Sequence, residues 1–183
     1  MIRIISGQHK GRRIAAPKKL PVRPTTDMAK ESLFNILGNR FYFKEIKVLD
    51  LYSGTGNISY EFASRGTTAI TAVDGHYACV QFIQKTAQAF DFTINTIKSD
   101  VLKFLKHSPG TYDFIFADPP YDLAVSEFMK IIQLVFEHQL LTPDGLLVIE
   151  HAKHTKLDPH ECLEDSRHYG SSAFSFYSWA EAE

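Results

Sequence analysis

The chain has 183 residues, of which 44% are hydrophobic and 22% are charged, and its formal net charge at pH 7 is −1. This length fits one compact domain, or one domain with a small appendage, and is too short for a standard TIM barrel of about 250 residues. The sequence has no tract of biased composition and no internal repeat, which excludes collagen-like, disordered and solenoid proteins.

The charged residues are divided unevenly along the chain. Residues 1–30 contain eight lysines or arginines and a single acidic residue, Asp27, whereas the remaining residues contain twelve basic and twenty acidic side chains. This division is typical of a basic arm that binds a polyanion and is carried on an acidic body.

The two cysteines and the polar opening segment favour neither a disulfide framework nor a secretory signal. No apolar run approaches the length of a membrane span. We therefore expect a cytoplasmic, monomeric protein that does not enter a membrane.

The N-terminal arm is predicted to be structured. Residues 2–16 contain two short β-prone pieces around Gly7 and Gly11, which is typical of a small hairpin with basic side chains projecting from it. Three prolines then predict an extended connector: Pro17, Pro21 and Pro24. A helix is predicted over 27–38, with capping side chains just before it. We expect residues 1–40 to form a basic extension that packs on a body of residues 41–183.

Short apolar runs alternate with helical segments from Lys47 onward. Strands this apolar, separated by helices, predict a parallel sheet that is covered on both faces. The predicted strands are 47–52, 69–74, 93–100, 112–118 and 146–151, and the predicted helices are 57–65, 76–90, 101–106 and 124–137. After Pro159 two strands, 163–169 and 173–179, follow without a helix between them. We expect a doubly wound, mainly parallel, seven-stranded α/β sheet that ends in an antiparallel strand pair.

Ligands bind beyond the carboxyl ends of the strands in an open α/β sheet. The first strand of the body runs into a turn with Gly54 and Gly56, where the missing Cβ atoms let the backbone approach a ligand. Asp74 ends the next strand, where a carboxylate can accept hydrogen bonds from both ribose hydroxyls. Ser59 stands where a dinucleotide site prefers Gly or Ala. The pattern therefore predicts an adenosine-type cofactor rather than a dinucleotide.

The strand at 112–118 ends in Asp118, Pro119, Pro120 and Tyr121. The two prolines lack an N–H, so their carbonyl oxygens are the only main-chain polar groups they offer. One carbonyl can face a ligand beside the Asp118 carboxylate, and two acceptors can grip the N–H groups of an amine. Tyr121 can stack on a planar base. The pattern therefore indicates chemistry on the amino group of a base.

Motifs along nearly the whole chain resemble one enzyme family. The run DLYSGTGN, the acids Asp74 and Asp100, and DPPY resemble class I S-adenosylmethionine-dependent methyltransferases that act on exocyclic amines. The runs IRIISGQHKGRRI and RPTTDMAKESLFNIL resemble the RsmD family, which methylates N2 of a guanine in the 16S RNA of the bacterial small ribosomal subunit. Where that family often has Glu at the ribose position, this chain has the shorter Asp74.

The resemblance implies a Rossmann-like methyltransferase fold, S-adenosylmethionine as cofactor, and ribosomal RNA, the small subunit or an assembly intermediate as partner. It implies these cofactor-binding residues: Asp50, Ser53, Gly54, Gly56, Asp74, Asp100 and Asp118. It implies these catalytic residues: Asp118, Pro119, Pro120 and Tyr121. The candidates for phosphate contacts are the cations of the arm: Arg3, Lys10, Arg12, Arg13, Lys18, Lys19 and Arg23.

Three other functions remain open at this stage. A DPPY enzyme could methylate adenine N6 or cytosine N4 of DNA, although so short a chain has no room for a separate target-recognition domain. A glutamine methyltransferase would leave the basic arm unexplained. A non-catalytic RNA-binding module could retain the cofactor fold. A metal site is not expected, because the histidines after residue 150 and Cys162 match no zinc-ligand spacing.

Overall fold

The computed structural model describes residues 1–20, 22 and 25–180. Pro21, Arg23 and Pro24 lie outside the described residues, so two of the three prolines of the predicted connector and one predicted RNA contact are not described. Within the described part of the chain, no helix is long and apolar enough to cross a membrane.

The fold contains a seven-stranded mixed sheet and a separate two-stranded hairpin. In chain order the strands are β1 (Ile2–Arg3), β2 (Arg13–Ile14), β3 (Lys47–Leu51), β4 (Ala69–Asp74), β5 (Ile94–Lys98), β6 (Tyr112–Ala117), β7 (Leu141–Ala152), β8 (Leu163–Tyr169) and β9 (Ser172–Tyr177). The large sheet has the order β5-β4-β3-β6-β7-β9-β8. Strands β3 to β7 pair in parallel, whereas β9 pairs antiparallel with both β7 and β8. The predicted architecture is confirmed.

Among residues 1–20, 22 and 25–180, five helices cover the two faces of this sheet. They are α1 (Asp27–Gly38), α2 (Asn57–Ser64), α3 (Tyr77–Phe90), α4 (Val101–His107) and α5 (Val125–Glu137). Alternate strand residues face opposite sides. Leu49 and Leu51 of β3 therefore pack with apolar residues of α4 and α5, whereas Val48 packs with those of α1 and α2. A third cluster on the latter side joins the hairpin to Tyr60 of α2 and Ile83 of α3.

The hairpin lies along helix α2 from one end to the other. Near the start of α2, the carbonyl oxygen of Arg3 accepts a hydrogen bond from Lys30, which also donates to Asn57. At the far end, the main-chain N–H of Gln8 donates to the carbonyl oxygen of Ser64 over 2.7 Å. The hairpin thus packs against α2, whereas the division into an extension of residues 1–40 and a body of residues 41–183 stays a prediction.

Several strand boundaries differ from the prediction, most of them by one or two residues. Strand β7 begins at Leu141, five residues before the predicted start, because Leu141 pairs with Tyr112 ahead of an irregularity in the β6–β7 register. Polar residues interrupt the apolar pattern over that first part of the strand. Strand β9 ends at Tyr177, two residues earlier than expected, and Trp179 packs against the core beyond the strand.

Candidate active site

A cavity of about 670 Å³ lies at the carboxyl ends of β3, β4 and β6. The strand order reverses between β3 and β6, which is the point where open α/β sheets bind their ligands. Most of the predicted cofactor-binding and catalytic residues line this cavity: Asp50, Ser53, Gly54, Asp74, Asp100, Asp118, Pro119, Pro120 and Tyr121. The fold therefore brings together residues from four separate segments of the sequence.

Gly56 is the predicted cofactor-binding residue that does not line the cavity. It lies at the N-terminal end of α2 with φ +84°, a conformation that favours glycine, and a Cβ there would lie 2.6 Å from the ring of Tyr60. Gly56 therefore shapes the turn and allows close packing of α2.

The turn after β3 brings the main chain against the cavity. Gly54 has φ +53°, and a Cβ on it would lie 3.0 Å from a methyl carbon of Val22 in the connector. Tyr52, two residues earlier, also has a positive φ of 53°, which is uncommon for a residue with a side chain. The ring of Tyr52 lines the cavity, where burial raises the pKa of its hydroxyl to about 12. A compact turn and a strained aromatic residue thus form one wall.

Asp74 organises this turn as well as lining the cavity. The N–H of Gly54 donates to its Oδ2 over 2.9 Å, and the N–H of His76 donates to its Oδ1 over 2.8 Å. Each carboxylate oxygen has two lone pairs, so both can accept a further hydrogen bond from a ligand. The side chain is therefore fixed in an orientation that suits a vicinal diol.

Asp50 lies at the buried floor of the cavity and is only 2% exposed. The hydroxyl of Ser59 donates to its Oδ2 over 2.6 Å. Burial raises the pKa of Asp50 to about 7, and the bond from Ser59 opposes this shift only in part. The sequence pattern predicts that Ser59 disfavours a dinucleotide. In the structure, the Ser59 hydroxyl also holds the Asp50 carboxyl in place. A cationic ligand group beside Asp50 would stabilise its ionised form.

Asp100 lines the cavity, is exposed to solvent and is the N-cap of α4. Its Oδ1 accepts a hydrogen bond from the N–H of Lys103 over 2.9 Å. The capping role that the sequence suggests is therefore present, and the same side chain lines the cavity.

The DPPY segment forms the remaining wall. The N–H of Asp118 donates to the carbonyl oxygen of Leu51 over 3.4 Å, which links β6 to β3. The carbonyl oxygen of Pro120 accepts from the N–H of Leu123 over 3.0 Å and closes a turn. One lone pair of this carbonyl oxygen is therefore used within the loop, and the Pro119 carbonyl stays the predicted main-chain acceptor beside Asp118.

Sequence reasoning missed one whole side of the cavity. Leu20, Val22 and Thr25 of the connector line it together with Asn57 at the start of α2. Glu150 of β7 lies behind this wall and accepts the Thr25 hydroxyl. The sequence identifies the run RPTTD as part of the arm. Its position at the cavity depends on contacts between residues more than 100 positions apart, which the sequence pattern does not predict.

The cations of the arm lie in different surroundings. Arg3 forms an ion pair with Asp27, with a nitrogen–oxygen distance of 3.1 Å. Arg13 is the cross-strand partner of Arg3, and its side chain is exposed. Both residues lie near the start of α2. Arg12 stacks over the ring of Phe90, 5.4 Å from its centre, and Lys10 is exposed near the hairpin tip. Lys30, counted among the basic residues of the arm, is completely buried against Glu61 and is not part of the surface.

Metal ligands do not converge anywhere in the described residues. Across residues 1–20, 22 and 25–180, no three His, Cys, Asp or Glu side chains are close enough to hold an ion. His151 is buried within the sheet, where one ring nitrogen lies 2.8 Å from the hydroxyl of Ser175.

Comparisons with known proteins agree with this fold. A family model described as Conserved hypothetical protein 95 matches residues 2–178. Ribosomal RNA small subunit methyltransferase D of Buchnera aphidicola (subspecies Baizongia pistaciae) is 31% identical, over 81% of this chain and 75% of its own. The structure of hypothetical protein TTHA0928 from Thermus thermophilus has a TM-score of 0.83 at 24% identity and covers 98% of this chain and 100% of its own. The structure of SMU.776 complexed with SAH has a TM-score of 0.65 at 20% identity, covering 81% of this chain and 49% of its own.

The sheet order, the glycine turn with Asp74 at the end of the next strand, and the DPPY segment define the class, a class I S-adenosylmethionine-dependent methyltransferase. Within that class, the chain belongs to the family described as Conserved hypothetical protein 95, which is the RsmD family.

Proposed function

We propose that this protein transfers a methyl group from S-adenosylmethionine to the exocyclic N2 amine of a guanine in bacterial 16S ribosomal RNA. The observation that carries the proposal is that one cavity is lined by both groups of residues. At one end lies Asp74, a carboxylate that can accept hydrogen bonds from a vicinal diol. At the other end lies Asp118–Tyr121, whose oxygen atoms can accept hydrogen bonds from an amine. The name of the Buchnera relative supports the choice of small-subunit RNA as the substrate.

The donor end of the cavity fits S-adenosylmethionine. In this proposal Asp74 binds the ribose hydroxyls, Asp100 the adenine amine, and the main chain around Ser53 and Gly54 the methionyl part; all four residues line the cavity. The buried carboxyl of Asp50 suits an ammonium group, because a cation there offsets the cost of ionising it. When bound, the cofactor supplies a methyl group activated by its attachment to a positively charged sulfur.

The acceptor end fits a guanine that has left its stack. The lone pair on N2 is delocalised into the ring, so the amine needs to be oriented and pyramidalised before it can attack. Asp118 and the carbonyl oxygen of Pro119 accept the two N–H groups, which orients the lone pair and stabilises the positive charge that develops on nitrogen. Asp118 or water then takes the proton released by the methylated amine. Tyr121 stacks on the base, which compensates for the lost stacking.

The arm supplies the attraction to RNA. Arg3, Lys10, Arg12 and Arg13, with Arg23 from outside the described residues, are the proposed phosphate contacts. Phosphate contacts offset the cost of extracting the base, which amounts to a few kcal/mol. A ribosomal substrate is consistent with the cytoplasmic location predicted from the sequence.

The test is the transfer of labelled methyl from S-adenosylmethionine to small subunits that lack the modification. Naked ribosomal RNA, DNA and protein are assayed in parallel, and the labelled product is digested and identified. We expect label in N2-methylguanosine. Label in DNA or in protein would transfer the function to another amine methyltransferase. Cofactor binding without any labelled product would instead indicate a non-catalytic RNA-binding module.

A further inference from the structure

A chain of hydrogen bonds runs behind the cavity wall and joins its two ends. Asn57, beside the donor end, donates from Nδ2 to the carbonyl oxygen of Thr25 over 3.2 Å and accepts from Lys30 over 2.7 Å. Thr25 donates its hydroxyl to Glu150 Oε2 over 2.6 Å. Tyr121, at the acceptor end, donates its hydroxyl to Glu150 Oε1 over 3.4 Å. The connector is thus bonded to both halves of the site.

Burial gives these bonds their importance. Glu150 is 3% exposed and Thr25 is 7% exposed, so water cannot replace the donors that the Glu150 carboxyl receives from the protein. A buried carboxylate is costly unless hydrogen bonds satisfy its oxygens, and in a low-dielectric setting each such bond is strengthened. The Thr25 and Tyr121 hydroxyls, one on each oxygen, are therefore among the groups that fix the carboxyl of Glu150.

We propose that Glu150, held by Thr25, is a positioning residue that fixes the ring of Tyr121 in the acceptor half of the cavity. This inference rests on the proposed function, because Tyr121 acts on substrate through a stacked base. The prolines hold the main-chain end of Tyr121, and Glu150 holds its hydroxyl. A ring held at both ends presents one face to the base, and small misplacements of a reacting group are costly in rate.

The decisive variant is Thr25→Val, which removes the hydroxyl but keeps the carbonyl oxygen that accepts from Asn57. We expect kcat for RNA to fall by at least about tenfold, whereas the Kd for S-adenosylmethionine changes by less than about twofold. Thr25→Ser restores the hydroxyl, so its kcat is expected to return to within about threefold of the original value. A kcat for Thr25→Val equal to that of the original protein overturns the proposal.

Thr67→Val is the matched control. Thr67 is also buried and donates its hydroxyl over 2.6 Å, to the carbonyl oxygen of Phe43, but it does not line the cavity. The same chemical change there is expected to lower thermal stability by a comparable amount and to leave kcat unchanged. Equal losses of kcat in the Thr67 and Thr25 variants would indicate a general structural effect and would contradict the positioning role.

A double-mutant cycle tests whether Thr25 acts through Tyr121. Tyr121→Phe keeps the stacking ring and removes only the hydroxyl that reaches Glu150. If both residues act along one path, Thr25→Val combined with Tyr121→Phe is no slower than the slower single variant. Losses that multiply in the double variant would show independent action and overturn the proposal.

A measurement without RNA separates this inference from the proposed function. The ring resonance of ¹³C-labelled Tyr121, assigned with Tyr121→Phe, is expected to shift in Thr25→Val and to stay in place in Thr67→Val. An unmoved resonance in Thr25→Val overturns the positioning role whatever the substrate is. Failure of the original protein to methylate any RNA would instead overturn the proposed function, and the resonance would still decide how Tyr121 is held.

Discussion

The two ends of the cavity are built in different ways. At the donor end, Asp74 is fixed by main-chain N–H groups of Gly54 and His76, and Asp50 is fixed by Ser59, nine residues away. At the acceptor end, Tyr121 is held by Glu150, 29 residues away, which is held in turn by Thr25, 125 residues away. The donor end is built mainly from adjacent strand ends and their turns, whereas the acceptor end depends on long-range contacts with the arm.

This difference suggests how one fold could keep its methyl donor while changing its acceptor. The contacts at the donor end form between the turns that directly follow β3 and β4, because the sheet register brings the ends of these two strands side by side. The acceptor contacts depend on an added segment, since the connector supplies Leu20, Val22 and Thr25 to the wall. The arm therefore contributes to the cavity as well as to the proposed RNA-binding surface.

The largest effect is expected at the acceptor end, from Asp118→Ala. This change removes the acceptor that orients the amine and stabilises its developing charge, so kcat is expected to fall by about 10²- to 10³-fold. The Kd for S-adenosylmethionine, measured by calorimetry, is expected to stay within a few fold. Undiminished turnover would remove Asp118 from the chemistry, and a loss confined to cofactor affinity would move it to the donor end.

The next largest effect is expected at the donor end, from Asp74→Ala. Two hydrogen bonds to a charged group are lost, each of about 1.5–3 kcal/mol, so the Kd for S-adenosylmethionine is expected to rise by about 100-fold or more. Turnover at saturating cofactor is expected to persist at a reduced level. Equilibrium binding and steady-state kinetics on one preparation separate the two quantities, and an unchanged Kd would refute the diol-binding role.

The contrast between the two ends explains what could be predicted from the sequence. The strands and helices have regular apolar periods, so their order and the position of the strand ends were predictable. Asp74 and Asp118 were found because each ends a strand that the pattern identifies. Glu150 lies within a strand and Thr25 precedes a helix, so no local signal connects them. Lys30 is one of the eight basic residues counted in the arm, yet it is buried beside its partners Asn57 and Glu61.

A change of pH is expected to have a smaller effect on the affinity for S-adenosylmethionine, and this effect reports on the protonation of Asp50. Burial raises the pKa of Asp50 to about 7, so the carboxyl is mostly protonated in the free protein at pH 5.5. An ammonium ligand prefers the ionised form, which means that binding lowers the pKa and releases a proton below pH 7. Affinity for S-adenosylmethionine is therefore expected to rise about tenfold between pH 5.5 and 7.0.

Calorimetry in buffers of different ionisation enthalpy measures this proton release directly. Asp50→Asn has no proton to lose, so its weaker binding is expected to be independent of pH over the same interval. A pH dependence that survives in Asp50→Asn would assign the titration to a group other than Asp50.

The smallest effect concerns the two ends of the hairpin. Arg13 lies beside Arg3 near the start of α2, which borders the cavity, whereas Lys10 lies near the tip, about 12 Å away along the helix. RNA whose target base occupies the cavity passes closest to the Arg13 end. Arg13→Ala is therefore expected to weaken RNA binding by about fivefold and lower its salt slope by about one, and Lys10→Ala by less. Filter binding across a salt series measures the RNA affinity and its salt slope. A larger loss of affinity for Lys10→Ala than for Arg13→Ala would mean that RNA follows the hairpin away from the cavity.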